Sequence, residues 1–150
     1  MNIKNILVPI DFSADSEAAL DWAMDLAKDS GAQIHLLHAH QPITVGASMY
    51  GVGIPLDYDQ QLREAASKRL AEWSTRVSEN GLKASSELVL TPPTDAITHA
   101  AKDLPADLIV IGTRGLSGLS HLLMGSVAER TVRLAHCPVV TVKNKAADES

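Results

Sequence analysis

The chain has a single cysteine and very few aromatic residues, and these shortages exclude several classes of protein. Because Cys137 is the only cysteine among 150 residues, no disulfide can form within the chain. Aromatic residues make up 3% of the sequence, which leaves few rings on which nucleic-acid bases could stack. No apolar run approaches the roughly 20 residues that cross a bilayer. We therefore expect a protein without a disulfide framework, a membrane span or a base-stacking surface.

Positive charge is also scarce. The net charge is −5, and the 13 lysines and arginines are scattered along the chain. A protein that binds the phosphate backbone of nucleic acid needs a concentrated basic surface, so we expect no nucleic-acid partner. The N-terminus enters a strand-like run by Ile3 without a basic and apolar signal segment, and we expect a cytoplasmic protein.

Strand-like and helix-like patterns alternate along the chain. Four helices are expected. The first begins at Ser13, the second follows a long connection over residues 40–57, the third begins at Thr94 and the fourth at Gly125-Ser126. This alternation predicts one doubly wound α/β domain over residues 1–143, with a five-stranded parallel sheet and helices on both faces. We expect the strand order 3-2-1-4-5, in which the first and fourth strands are central neighbours. Residues 144–150 are expected to form a disordered polar tail. The expected strands are Asn5–Ile10, Ile34–Ala39, Lys83–Leu90, Asp107–Ile111 and Val139–Lys143.

The glycines after the fourth strand-like run suggest an anion site. The buried run Asp107–Ile111 leads directly into Gly112, and Gly125-Ser126 then opens a helix-like segment. Glycine allows the backbone to approach a ligand closely, and the first N–H groups of a helix attract anions. In the expected strand order, Asp11 and Gly112 meet at the point where the winding direction reverses, which is where such sheets bind ligands.

The spacing Gly112-x2-Gly115-x9-Gly125-Ser126 resembles the ATP-binding signature of the universal stress proteins. Residues 3–143 resemble that family, with further matching runs at residues 6–13, 34–39 and 137–142. One departure is visible, because the family usually has Gly-x-Pro entering the third helix, where this chain has Thr91-Pro92-Pro93. The resemblance implies a site for ATP with Mg or Mn, and ADP and AMP stay open as alternatives. The predicted nucleotide-binding residues are Pro9, Ile10, Asp11, Ala39, Gly112, Thr113, Arg114, Gly115, Gly125, Ser126 and Val127.

Several of these residues also have a purely structural explanation. Asp11 could contact a ribose hydroxyl or the adenine amine, or it could serve only at the start of a helix. Ser126 fits an S-x-x-E capping box with Glu129, a role that is compatible with phosphate binding nearby. Arg114 and His121 could bind phosphate or could be exposed surface cations. We do not expect zinc at His35, His38 and His40, because only His38 and His40 share a face of the strand and neither a cysteine nor a nearby pair of carboxylates completes a site.

The sequence contains neither a P-loop nor a G-x-S-x-G nucleophile elbow, so rapid ATP hydrolysis has no visible machinery. We expect a cytoplasmic stress-response protein that acts mainly as a nucleotide-dependent binding or signalling module. One alternative is a slow ATPase or an ATP-dependent transferase, and another is a nucleotide-free dimeric scaffold. The expected partners are an adenine nucleotide, a second copy joined through Val139–Lys143, and a regulatory protein that the sequence does not name.

Overall fold

A computed structural model describes residues 1–43, 57–114 and 124–144 of the chain. Five strands alternate with four helices along these ranges. Most of the predicted 40–57 connection, the residues around Gly115 and His121, and the tail from residue 145 onward fall outside them. The elements are β1 (Asn5–Pro9), α1 (Ala14–Ser30), β2 (Gln33–Ala39), α2 (Tyr58–Glu79), β3 (Ala84–Val89), α3 (Pro93–Asp103), β4 (Leu108–Gly112), α4 (Ser126–Leu134) and β5 (Val139–Val142).

The strands form one parallel sheet in the order β3-β2-β1-β4-β5, which confirms the predicted fold class and strand order. The central strand β1 pairs with β2 on one side, where Ile6 lies opposite Ile34. On its other side β1 pairs with β4, where Ile6 lies opposite Leu108. Winding therefore runs outward from β1 through β2 to β3, and then crosses back to β4 and β5. The carboxyl ends of β1 and β4 meet at this reversal.

Two hydrophobic clusters cover the two faces of the sheet. Alternate residues of a strand point to opposite faces, so Val8 and Val110 contribute to one cluster while Leu7 and Ile109 contribute to the other. The first cluster includes buried residues of α1 and α2, and the second includes buried residues of α3 and α4. Because both faces are covered, Ile6–Val8 of β1 and Leu108–Ile111 of β4 form continuous buried apolar runs.

Capping geometry confirms two helix ends that the sequence pattern predicts, a start at Ser13 and an end at Gly31. The Ser13 side chain accepts a hydrogen bond from the Ser16 N–H and caps α1, as its position before the apolar pattern predicted. At the other end, Gly31 adopts a left-handed conformation with φ of 75°, and its N–H donates to the Ala27 carbonyl. None of the helices in the described ranges is both long enough and apolar enough to cross a membrane.

Other predicted boundaries need correction. The third helix begins at Pro93 and not at Thr94, because proline has no N–H to lose at the first helical position and its fixed φ suits a helix start. The strand ends differ from the prediction by about one residue: β1 stops at Pro9, and β5 stops at Val142. The sequence pattern predicts an apolar stripe along α2, at Leu62, Ala66, Leu70, Trp73 and Val77. Only Leu70 and Val77, in the second half of the helix, are buried.

Candidate functional site

A pocket lies where β1 and β4 end. Its volume is about 810 Å³ when the solvent space at its open mouth is included. The structure brings together at this pocket all the predicted site residues that it describes: Pro9, Ile10, Asp11, Ala39, Gly112, Thr113, Arg114, Gly125, Ser126 and Val127. The eleventh, Gly115, lies outside the described residues, as does His121. Residues that also line the pocket but were not predicted are Ser16, Leu37, Pro93, Ile97, Ile111 and Ala128.

The turn between β1 and α1 holds Asp11 at the rim of the pocket. One carboxylate oxygen of Asp11 accepts a hydrogen bond from the Ser13 N–H at 2.9 Å, so the helix-start role considered for this residue is real. Phe12 between them has φ of 64°, a left-handed conformation that a bulky side chain rarely adopts. The Ser13 hydrogen bond and the Phe12 conformation together fix the direction of the chain at Asp11. The second carboxylate oxygen of Asp11 takes no part in that hydrogen bond and can accept from another partner.

A cluster of rings and one guanidinium packs around Phe12. Its ring lies 4.7 Å from that of His38 and 5.5 Å from that of Trp73, centroid to centroid, and the Arg69 guanidinium stands 4.3 Å above it. His38 in turn donates from Nδ1 to the carbonyl of Ile10, over 2.7 Å. These contacts from β2 and α2 stabilise the left-handed turn, and nothing in the local sequence indicates them.

The three histidines considered as zinc ligands bond to separate groups. His35 lies inside the sheet, His38 is bonded to the turn that carries Asp11, and His40 is bonded to the first turn of α2. Their hydrogen-bond partners are Ser85 and Asn5 for His35, the Ile10 carbonyl for His38, and the Asp59 carboxylate for His40.

The buried histidines predict a pH dependence of stability. Burial lowers the pKa of His35 and of His38 below the ordinary 6.5, although the hydrogen bond to Ile10 partly opposes this for His38. On unfolding at mildly acidic pH the two rings take up protons. Their contribution to stability is therefore present above pH 6.5 and declines as pH falls below it.

We expect the free energy of urea unfolding to fall between about pH 7.5 and about pH 5.5, by at most about 1.4 kcal/mol per pH unit for each ring. His35→Gln and His38→Gln should each flatten this slope. His99→Gln, at an exposed position on α3, is the control for replacing a histidine by glutamine. If the slope is unaltered in both His35→Gln and His38→Gln, the assignment of the pH dependence to these two histidines is wrong.

The start of α4 differs from the predicted capping box. Gly125, and not Ser126, is the N-cap, and no side chain of the described residues caps this helix. The reason is a tertiary hydrogen bond, because the Gly125 N–H donates to the carbonyl of Thr113 and fixes the helix start one residue earlier. Ser126 is therefore the first helical residue. Helical geometry leaves the N–H groups of Ser126, Val127 and Ala128 without an acceptor inside the helix, and all three residues line the pocket.

Arg114, which lines the pocket, forms an ion pair with Asp15 behind it. The Arg114 side chain, predicted as a phosphate ligand, lies with its Nε 3.3 Å from a carboxylate oxygen of Asp15, and their side chains are 12% and 6% exposed. In the sequence, Asp15 is distinguished only by being an acidic residue in the first turn of a helix. Its partner is far away along the chain, so no local signal indicated the pair.

Comparison with known proteins agrees with this architecture. The model of the universal stress protein family matches residues 2–143. Universal stress protein MJ0531 of Methanocaldococcus jannaschii is 34% identical over 145 residues, which cover 93% of this chain and 82% of that protein.

Two solved structures share the fold over nearly the whole chain. Hypothetical protein MJ0577, studied for structure-based assignment of its biochemical function, has a TM-score of 0.80 and 26% identity, covering 97% of this chain and 99% of its own. A universal stress protein in complex with cAMP has a TM-score of 0.73 and 25% identity, covering 97% of this chain and all of its own. With its sheet order, its pocket at the β1–β4 reversal and these relatives, the chain belongs to the universal stress protein family.

Proposed function

We propose that this protein binds an adenine nucleotide, together with a divalent cation, in the pocket at the ends of β1 and β4. The observation that carries the proposal is the convergence of a strand-end carboxylate, an apolar wall and a helix N-terminus on one cavity. In this proposal the protein is a cytoplasmic stress-response module, in which nucleotide occupancy alters binding to a regulatory protein.

The two ends of the pocket suit the two ends of a nucleotide. Leu37, Ala39, Ile97 and Ile111 provide an apolar wall for the base, and Asp11 at the rim is an acceptor for a ribose hydroxyl or an exocyclic amine. At the other end, the N-terminus of α4 offers backbone N–H groups and the positive end of a helix dipole to phosphates. The related universal stress protein in complex with cAMP supports an adenine nucleotide as the ligand class.

The direct test combines mass analysis of small molecules released from the purified protein with calorimetric titration. We expect ATP, ADP and AMP each to bind, with ATP tightest when Mg²⁺ or Mn²⁺ is present, because its three phosphates offer the most negative charge to the N-terminus of α4 and to a shared cation. GTP, which lacks the adenine amine, is the matched control and should bind more weakly. Absence of binding by every adenine nucleotide to folded protein would overturn the proposal.

We expect hydrolysis to be slow, well below the roughly 10 s⁻¹ median of enzymes. The backbone N–H groups of α4 bind ground-state and transition-state phosphates alike, and uniform binding does not accelerate a chemical step. The Arg114 guanidinium already lies beside Asp15. Phosphate release by protein freed of contaminating ATPases measures the rate. Turnover above about 1 s⁻¹ that disappears in a variant unable to bind ATP would favour the ATPase alternative.

We also propose a homodimer formed through β5. This strand lies at one edge of the sheet, so its outer backbone groups have no partner strand within the described part of the chain. The neighbouring helix α4 exposes Val132 and Leu134, at 49% and 53%, which adds apolar surface near that edge. A second copy pairing at β5 would cover both.

Val140→Lys should therefore shift the protein from dimer to monomer in sedimentation velocity, because a charged side chain on an edge strand opposes pairing. Ser86→Lys, at an exposed position on β3 at the opposite edge of the same sheet, is the control for the added charge and should leave the dimer intact. Val140 is partly buried against the first hydrophobic cluster, so its variant needs a separate test of folding. Circular dichroism must show that both variants are folded. Wild-type protein that sediments as a monomer at high concentration would contradict this proposal.

A further inference from the structure

The carboxylate of Asp15 joins three segments that are distant in sequence. One oxygen, Oδ2, accepts hydrogen bonds from the Thr113 hydroxyl at 3.1 Å and from the Arg114 backbone N–H at 3.0 Å, and the Arg114 Nε lies 3.3 Å from it. The other oxygen, Oδ1, accepts from the Asn144 N–H at 3.4 Å. The first turn of α1 is thereby tied to the exits of both β4 and β5.

Close packing reinforces these hydrogen bonds. A β-carbon built on Gly112 would stand 2.7 Å from the carbonyl carbon of Asp15, so the end of β4 lies directly against the α1 backbone. Thr113 is held on both sides, because its N–H donates to Val142 at 3.0 Å and its carbonyl accepts from Gly125. Asp15 is therefore part of the framework that sets where the pocket wall leaves β4 and where α4 begins.

We propose that Asp15 is a positioning residue for the phosphate side of the pocket. It does not line the cavity, and it acts through Thr113 and Arg114, which do. A buried carboxylate near a bound polyphosphate would be repulsive by itself, but the adjacent Arg114 guanidinium compensates its charge. The inference depends on the proposed nucleotide function for the identity of the ligand, but the positioning itself can be measured without nucleotide.

A positioning role makes a prediction that a general structural role does not. Asp15 contacts residues at the phosphate end. At the base end, Asp11 accepts a hydrogen bond from the Ser13 N–H, and Ala39 pairs with Val89 of β3. Removing the carboxylate should therefore weaken the binding of ATP much more than the binding of adenosine. We expect Asp15→Ala to raise the dissociation constant of ATP at least tenfold and that of adenosine less than about threefold.

Two further variants separate positioning from charge and from folding. Asp15→Asn keeps a side-chain oxygen for the Thr113 hydroxyl and the Arg114 N–H, so it should restore part of the ATP affinity lost in Asp15→Ala. Asp25→Asn removes a carboxylate from the same helix at an 82% exposed position and should leave both affinities unchanged. If Asp15→Ala does not fold, the loss of ATP affinity and the loss of adenosine affinity are compared in the Asp15→Asn variant instead.

Calorimetric titration of the full chain with Mg-ATP and with adenosine gives the affinities, and amide hydrogen exchange without nucleotide gives the second readout. We expect faster exchange at Arg114 and Asn144 in Asp15→Ala than in wild type or Asp25→Asn. Equal loss of ATP and adenosine affinity, tighter ATP binding, or unchanged exchange at both amides would each overturn the inference. Wild-type protein that binds neither compound would instead overturn the proposed function, and the exchange measurement would still decide the positioning.

Discussion

Replacing Gly125 with aspartate should weaken ATP binding at least tenfold, or at least about 1.4 kcal/mol, while α4 remains folded. Gly125 is the N-cap of this helix, with φ of −62° and ψ of 153°, a conformation that aspartate adopts readily. The new carboxylate would accept hydrogen bonds from the first N–H groups of the helix, which are the groups proposed to bind phosphate. It would also place a negative charge where the phosphates have to lie.

The design of this experiment separates repulsion from competition for the N–H groups. Gly125→Asn has nearly the same shape and the same capping ability without the charge, so it should lose less ATP affinity than Gly125→Asp. Adenosine, which has no phosphate, should bind wild type and both variants about equally. Thermal unfolding should show no loss of stability in either variant, since both residues are at least as good N-caps as glycine. Equal ATP affinity in wild type and Gly125→Asp would contradict the placement of phosphate at α4.

The element order could be predicted because it depends on patterns within short segments, and the sheet order because the right-handedness of crossover connections leaves few topologies. The run from Leu108 to Ile111 is buried along its whole length, and such a run at the centre of an alternating chain indicates an internal parallel strand. Ser13 and Gly31 likewise lie at α1 ends where their own chemistry is sufficient, since one supplies a capping oxygen and the other a left-handed conformation.

The start of α4 could not be predicted to the residue, because a contact from elsewhere decides it. The S-x-x-E pattern at Ser126 is locally consistent with a capping box. In the structure Glu129 instead bonds to Arg133 one turn later, and the Thr113 carbonyl binds the N–H of Gly125. Propensity is a weak prior, and one tertiary hydrogen bond is enough to move a helix start by a residue.

Other features of the site could not be predicted for the same reason, because they depend on contacts between residues that are far apart in the sequence. Asp15 and Thr113 are 98 positions apart, and nothing near either residue indicates the other. Phe12 has φ of 64° although a bulky residue disfavours that conformation, and the rings that hold it come from β2 and α2. Sequence patterns therefore placed the residues that line the pocket, whereas the residues that hold this lining in position depend on the folded structure.

Gly112→Val should be among the most destabilising single changes at the pocket. The β-carbon would stand 2.7 Å from the carbonyl carbon of Asp15 and 2.9 Å from its carbonyl oxygen, and these are backbone atoms that cannot rotate away. Either α1 must move away from β4 or the strand end must bend, and overpacking of this kind costs about 1–3 kcal/mol. We expect a melting temperature lower by roughly 2–12 °C for a chain of this length.

A graded series shows whether steric contact is the cause. Gly112→Ala adds only the β-carbon and should lose less stability than Gly112→Val, whose two further methyl groups add to the same collision. Gly81→Ala is the control for backbone strain, because Gly81 has φ of 77° and no atom within 4 Å of an added β-carbon. Gly81→Ala should destabilise the protein by about 1 kcal/mol and should leave the pocket unchanged.

Displacement of Asp15 in the Gly112→Val protein should also weaken ATP binding, because Thr113 and Arg114 depend on the same carboxylate. Urea unfolding of the three variants measures the stabilities, and a Gly112→Ala protein as stable as wild type would show that α1 and β4 are not in the close contact described.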